Sequence, residues 1–90
     1  MKSTQRQQLK AKAHALKPVV LIGSNGLTQN VIEETNLALT AHELIKVKIY
    51  GMEREERNEC AEQICQSLDA ALVQSIGNTL VLYRKNPDKN

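Results

Sequence analysis

The sequence predicts an α/β fold, a compact α-β-α-β-α-β-β domain in which helices pack on a mixed four-stranded sheet. Strand-like runs at 19–22 and 44–50 alternate with stretches of helical periodicity, which implies crossover units with parallel pairing. Two further runs, 72–76 and 79–84, are separated only by Gly77-Asn78, a two-residue turn with glycine first that suits a type II′ hairpin. Ninety residues bury roughly 60–65 % of their unfolded surface, enough for one modest core. All elements therefore belong to one domain, residues 1–90, with residues 85–90 as a flexible tail.

In chain order, Ser3 or Thr4 can cap a first helix reaching about Ala15, with Leu9, Ala13 and Leu16 at helical spacing. Arg6, Lys10, His14 and Lys17 form a neighbouring cationic stripe. Pro18 ends this helix, because the residue before a proline is pushed out of the helical region. Val19 to Ile22 is a branched apolar run too short for a helix, hence a buried strand.

The loop Gly23-Ser24-Asn25-Gly26 follows and leads into a second helix over Thr28 to Ala41. Val31, Ile32, Ala38 and Leu39 mark its apolar face, and Leu27 can staple against Val31. Leu44 to Tyr50 alternates as a strand. Ile45, Val47 and Ile49 share one face; Leu44, Lys46, Lys48 and Tyr50 share the other, which is at least partly wet. After Gly51, Glu53 to about Leu68 forms a third helix with Cys60, Ala61, Ile64, Cys65 and Leu68 inside. The hairpin completes the sheet.

Composition limits the function. The longest apolar run falls far short of the ~20 residues of a membrane span, and the N-terminal residues carry no apolar signal core, so the expected location is cytoplasmic, with both cysteines reduced. Net charge is only +2, but it is unevenly spread. Residues 1–32 carry five basic residues and no acid, whereas residues 53–69 carry six acids against Arg54 and Arg57. A polyanion is drawn to the first segment and repelled by the second. Tyr50 and Tyr83 are the only aromatic residues. Modules that read single-stranded RNA by stacking use several exposed rings, so any nucleic-acid contact here is expected to run mainly through phosphates, backbone amides and shape.

The glycine loop lacks the spacing of an NTPase phosphate loop or a dinucleotide fingerprint. It resembles the Gly-x-x-Gly clamp that KH domains place on a nucleic-acid backbone, where missing side chains let the strand come close. A tight structural turn explains the same two glycines equally well. Lys46 and Lys48 place two ammonium groups on one sheet face roughly 6.5–7 Å apart, compatible with neighbouring phosphates and also with a protected, solvated surface.

Catalytic and metal chemistry find no foothold. Cys60 and Cys65 lie about 140° apart on a helix with no His to complete a metal set, and read as buried, inert thiols. His14 and His42 have no nucleophile at recognisable spacing. The expectation is a non-enzymatic protein with no catalytic residues, metal or cofactor.

Three segments together, LKPVVLIGSNGLT at 16–28, HELIKVKI at 42–49 and IGNTLVLYR at 76–84, resemble the CRM domain family. That family includes single-domain bacterial proteins of the YhbY type and repeated modules of plant organellar splicing factors. The resemblance implies an RNA-binding fold similar to the C-terminal domain of translation initiation factor three. For bacterial members it implies association with precursor large ribosomal subunits and a part in ribosome assembly. It assigns Gly23, Ser24, Asn25 and Gly26 to the RNA backbone, with Lys46, Lys48 and Arg84 as basic positions near them. Charge adds Arg6, Lys10, Lys17 and Lys85. The expected partner is ribosomal RNA, with no membrane or small-molecule substrate, bound by a monomer. The competing reading is a small protein-binding adaptor that turns its acidic helix, residues 53–69, toward a basic partner.

Overall fold

The computed structural model describes residues 2–86. Its elements follow the expected order: α1 (Ser3–Ala13), β1 (Pro18–Ile22), α2 (Gln29–His42), β2 (Leu44–Ile49), α3 (Arg54–Leu68), β3 (Ala71–Ile76) and β4 (Thr79–Tyr83). The sheet order is β1-β2-β4-β3. β1 runs parallel to β2, as a crossover through α2 requires, and β4 is antiparallel to both β2 and β3.

Side-chain alternation divides the sheet into two faces. Val20, Ile22, Ile45, Val47, Ile49, Leu80 and Leu82 turn inward and bury against Leu39 of α2 and Cys60, Ala61 and Ile64 of α3. Removing each large apolar side chain of this kind from water stabilises the fold by about 1.5–3 kcal/mol. Thr35 is the one buried polar residue in this region, and its hydroxyl donates to the Val31 carbonyl at 2.7 Å, so burial leaves it satisfied.

A second, smaller cluster lies on the opposite face. Leu9 and Ala13 of α1 bury against Leu44, Val73 and Val81, with Tyr83 at the margin. Leu72 packs on the main core and Val73, next along the strand, faces α1; a bulge between Leu72 and Gln74 then keeps Gln74, paired with Val81, on that same outer face. Because α1 contributes only these two buried residues, it covers one end of this outer face and leaves the other end open.

The boundaries differ from the sequence reading in instructive ways. Lys2 occupies the N-cap of α1 without a side-chain bond, so Ser3 and Thr4 lie inside the helix rather than capping it. Leu16 lies beyond α1 and is exposed, because the chain turns at His14 to reach Pro18. Thr28 caps α2 instead of starting it, its hydroxyl accepting the Val31 N–H at 3.2 Å. At the C-terminal end, Asn86 is tied down: its backbone N–H donates to the Glu43 carboxylate at 2.6 Å and its amide to the Thr40 carbonyl at 2.5 Å. Of the tail expected over 85–90, Asn86 makes these two bonds, and residues 87–90 lie outside the described residues.

Candidate nucleic-acid interface

The loop Gly23-Ser24-Asn25-Gly26 folds as a tight turn closed by the Gly26 N–H donating to the Gly23 carbonyl at 3.0 Å. Gly26 has φ +76°, a left-handed conformation that glycine adopts without steric cost. The turn spends the Gly26 amide on itself. Ser24 and Asn25 at its tip are exposed and have no hydrogen-bond partner among the described residues. These tip groups are what the turn itself offers to an anion, and α2 begins three residues further on.

A second segment holds the loop in place. The Tyr50 N–H donates to the Ile22 carbonyl at 2.8 Å, which joins the ends of β1 and β2. The chain then turns at Gly51, with φ +72°, where an added Cβ would stand 3.1 Å from the Ser24 Cβ. Gly51 is thus required both by its backbone conformation and by the close approach of Ser24.

The open end of the outer sheet face runs up to this loop. One registered row crosses all four strands: Leu21 pairs with Lys48, Lys48 with Thr79 and Thr79 with Ile76. Leu21 and Ile76 are 58 % and 60 % exposed. One row back, Lys46 pairs with Val81 and lines a groove with Lys10 and His14 of α1, Gln74, Ile76 and Thr79. Two members of the stripe, Lys10 and His14, therefore share this groove with Lys46. Lys10, His14 and Lys46 line this groove and Lys48 flanks it through its pairing with Thr79; no carboxylate is among the groove-lining residues, so a polyanion meets one sign of charge there.

Other predicted positions are placed elsewhere. Arg84 follows β4 at the opposite end of β2 from the loop, where its N–H donates to the Glu43 carbonyl; the six residues of β2 separate the two by roughly 20 Å. Both terminal nitrogens of its guanidinium are also engaged, donating to the Asn36 side chain at 2.8 Å, the Leu68 carbonyl at 3.0 Å, the Asn36 carbonyl at 3.1 Å and the Thr40 hydroxyl at 2.9 Å. It is a structural clamp and not a basic position near the loop. Lys85 is exposed at that same far end. Lys17 precedes β1 and lines a different groove with Lys12, His42 and Leu44, away from the loop. Arg6 continues the α1 stripe one turn beyond Lys10 and is exposed.

Sequence reasoning set His14 beside Lys10 and Tyr50 on the lysine face without naming either as a contact residue, and read Gly51 only as the end of a strand. The signals existed: His14 lies four residues after Lys10, and Tyr50 shares strand parity with Lys48. What was missing was the knowledge that α1 crosses the lysine face. The thiols play no part here. Burial, and secondarily the carboxylates of Glu56 and Glu59, push the Cys60 thiol pKa up, and burial alone raises that of Cys65. Both remain protonated and unreactive at neutral pH.

Comparison with known proteins supplies a context for this geometry. Residues 1–84 match the model of the CRS1 / YhbY (CRM) domain. A Haemophilus influenzae protein named as an RNA-binding protein is 47 % identical over 88 residues, spanning 98 % of this chain and 89 % of that protein. A Pseudomonas aeruginosa protein named "Probable RNA-binding protein" is 45 % identical over 86 residues, 96 % of this chain and 83 % of that one. The fold superposes with a TM-score of 0.87 on the solution structure of a hypothetical Staphylococcus aureus protein described as a candidate for RNA binding. That protein is 30 % identical, and the match covers 100 % of this chain and 94 % of the other.

Proposed function

The chain belongs to the CRS1 / YhbY (CRM) domain family, and from that premise we propose that it is a non-enzymatic RNA-binding protein. It grips an RNA backbone with the tip of the Gly23–Gly26 turn and with Lys46, Lys48 and Lys10. Its RNA is structured ribosomal RNA of precursor large subunits, in the cytoplasm, and its role is to assist their assembly. The ribosomal assignment is supported by the resemblance to bacterial members of the family; the RNA contact is supported by the surface itself.

The observation that carries the reading is the grouping of Lys10, His14 and Lys46, with Lys48 at their flank, on the outer sheet face, beside a turn whose tip groups have no partner among the described residues. Such a surface suits phosphates held at short spacing. Sequence readout through hydrogen bonds to bases has few side chains to serve it, so RNA shape guides the docking.

Titration of a ribosomal RNA hairpin against salt tests this. Each phosphate neutralised contributes about 0.7–0.9 to the slope of log affinity against log salt. Replacing Lys46 and Lys48 together by Gln lowers the slope by nearly two such increments. A slope near zero in the unaltered protein, or one that the double substitution leaves unchanged, contradicts the reading. Association with a basic protein partner that is lost on charge reversal at Glu55 and Glu59, with RNA binding intact, would favour the acidic face of α3 as the working surface.

A further inference from the structure

We propose that Tyr50 and Leu21 form a stacking site for one unpaired RNA base, immediately beside the phosphate-contacting turn. The proposal rests on the RNA reading above and deepens it by naming what the strand presents after its backbone has been gripped.

The aromatic poverty of the chain, with two Tyr and no Phe or Trp, argues against a multi-base stacking platform. It does not argue against a single one, and the structure distinguishes the two tyrosines. Tyr83 sits half-buried at the margin of the α1 cluster. Tyr50 is 46 % exposed, and its backbone bond to Ile22 fixes it where β1 and β2 end, next to the turn. Nothing in the core needs its ring.

The neighbours of Tyr50 match a base better than they match water. The Lys48 ammonium stands over one face of the ring, 5.4 Å from its centroid, in a cation–π contact. Leu21 is registered beside Lys48 and exposes 58 % of its surface. A purely solvated lysine face gives no reason to leave a leucine and a tyrosine uncovered together at its rim. A nucleobase has an apolar face to cover Leu21 and Tyr50, and its own phosphate to meet Lys48. A double-stranded segment presents no free base face, so the preferred ligand is a helix followed by an unpaired nucleotide.

The experiment uses the full chain and two RNA hairpins with a short single-stranded flank, one with normal flank bases and one with abasic sugars. Because the backbone N–H of residue 50 keeps its bond whatever the side chain, Tyr50→Ala is expected to fold, and circular dichroism checks it. Tyr50→Ala should bind the normal hairpin about 5- to 150-fold more weakly, and Tyr50→Phe should bind it as the unaltered protein does. The abasic flank should weaken the unaltered protein and leave Tyr50→Ala nearly unaffected. In the absence of tryptophan, quenching of tyrosine fluorescence by the normal flank and not by the abasic one gives a direct readout of stacking. Equal affinity of Tyr50→Ala and the unaltered protein, with salt-dependent binding preserved, overturns the stacking site and leaves the RNA reading standing. Failure of the unaltered protein to bind either hairpin overturns both.

Discussion

The guanidinium of Arg84 donates to the main-chain carbonyl of Leu68 at 3.0 Å, joining the end of the sheet to the C-terminal turn of α3. That carbonyl is one of the four a helix leaves unpaired at its end, and a cation there also suits the helix dipole. The same guanidinium bonds Asn36 and Thr40 of α2. A single side chain thus ties both inner helices to β4.

Arg84→Ala should therefore lower stability by about 2–3 kcal/mol, since the lost bonds are charge-assisted and leave acceptors unpaired. RNA affinity, measured at a temperature where the variant is folded, should not change. Urea denaturation and an RNA titration check the two halves. A stable variant with weakened RNA binding would return Arg84 to the interface.

Gly23 and Gly51 separate the two roles of the turn. Gly23 does not adopt a positive φ, and a Cβ there meets nothing within 4 Å. Gly23→Ala should leave stability within about 0.5 kcal/mol and weaken RNA binding by standing where the backbone approaches. At Gly51 the positive φ and the contact with Ser24 act together. Gly51→Ala should cost about 1–2 kcal/mol and displace the turn. Unchanged affinity in both variants would reduce Gly23–Gly26 to a structural turn. Gly26→Val is a less clean probe, because its φ of +76° adds backbone strain to any steric effect on RNA.

Asp69 is a stability liability. It adopts a left-handed conformation after α3, whose last turn has no basic residue of its own, so its carboxylate stands at the negative end of the helix dipole, offset only by the Arg84 guanidinium on the Leu68 carbonyl. Asp69→Asn keeps a residue that tolerates this conformation and removes the charge. A gain of about 0.3–1 kcal/mol is expected in thermal or urea unfolding; a loss would mean that the carboxylate has a stabilising role.

The thiols link stability to alkaline pH. The ordinary thiol value is 9.0, and both cysteines are raised above it in the folded chain. Folding therefore favours the protonated thiols. Their contribution is complete below pH 9.0 and is lost as pH rises through the raised folded values. Iodoacetamide at pH 8 should label Cys60 and Cys65 far more slowly in native than in urea-unfolded protein, as read by mass. Equal rates would refute the shift.

How much of this was legible in the residues follows physical lines. Strand parity around Lys46 and Lys48, the Gly77-Asn78 turn and the inner stripe of α3 are local periodicities, and local periodicity survives folding. The side of the sheet that α1 covers is not local: Leu9 and Ala13 mark a thin apolar edge, and only assembly sends it to Leu44, Val73 and Val81. That placement is what brings His14 and Lys10 to Lys46. Arg84 was misread because a cation in sequence carries no sign of its partners. Its bonds reach Asn36 and Thr40, more than forty positions away.

Amide chemical-shift mapping during titration with a ribosomal RNA hairpin tests the central claim most directly. Perturbations should concentrate on Gly23 to Gly26, on Lys46 to Gly51, and on Lys10 and His14, while Arg84 and the outer face of α3 stay unmoved. Shifts centred on residues 53–69, or none at saturating RNA, would contradict the account.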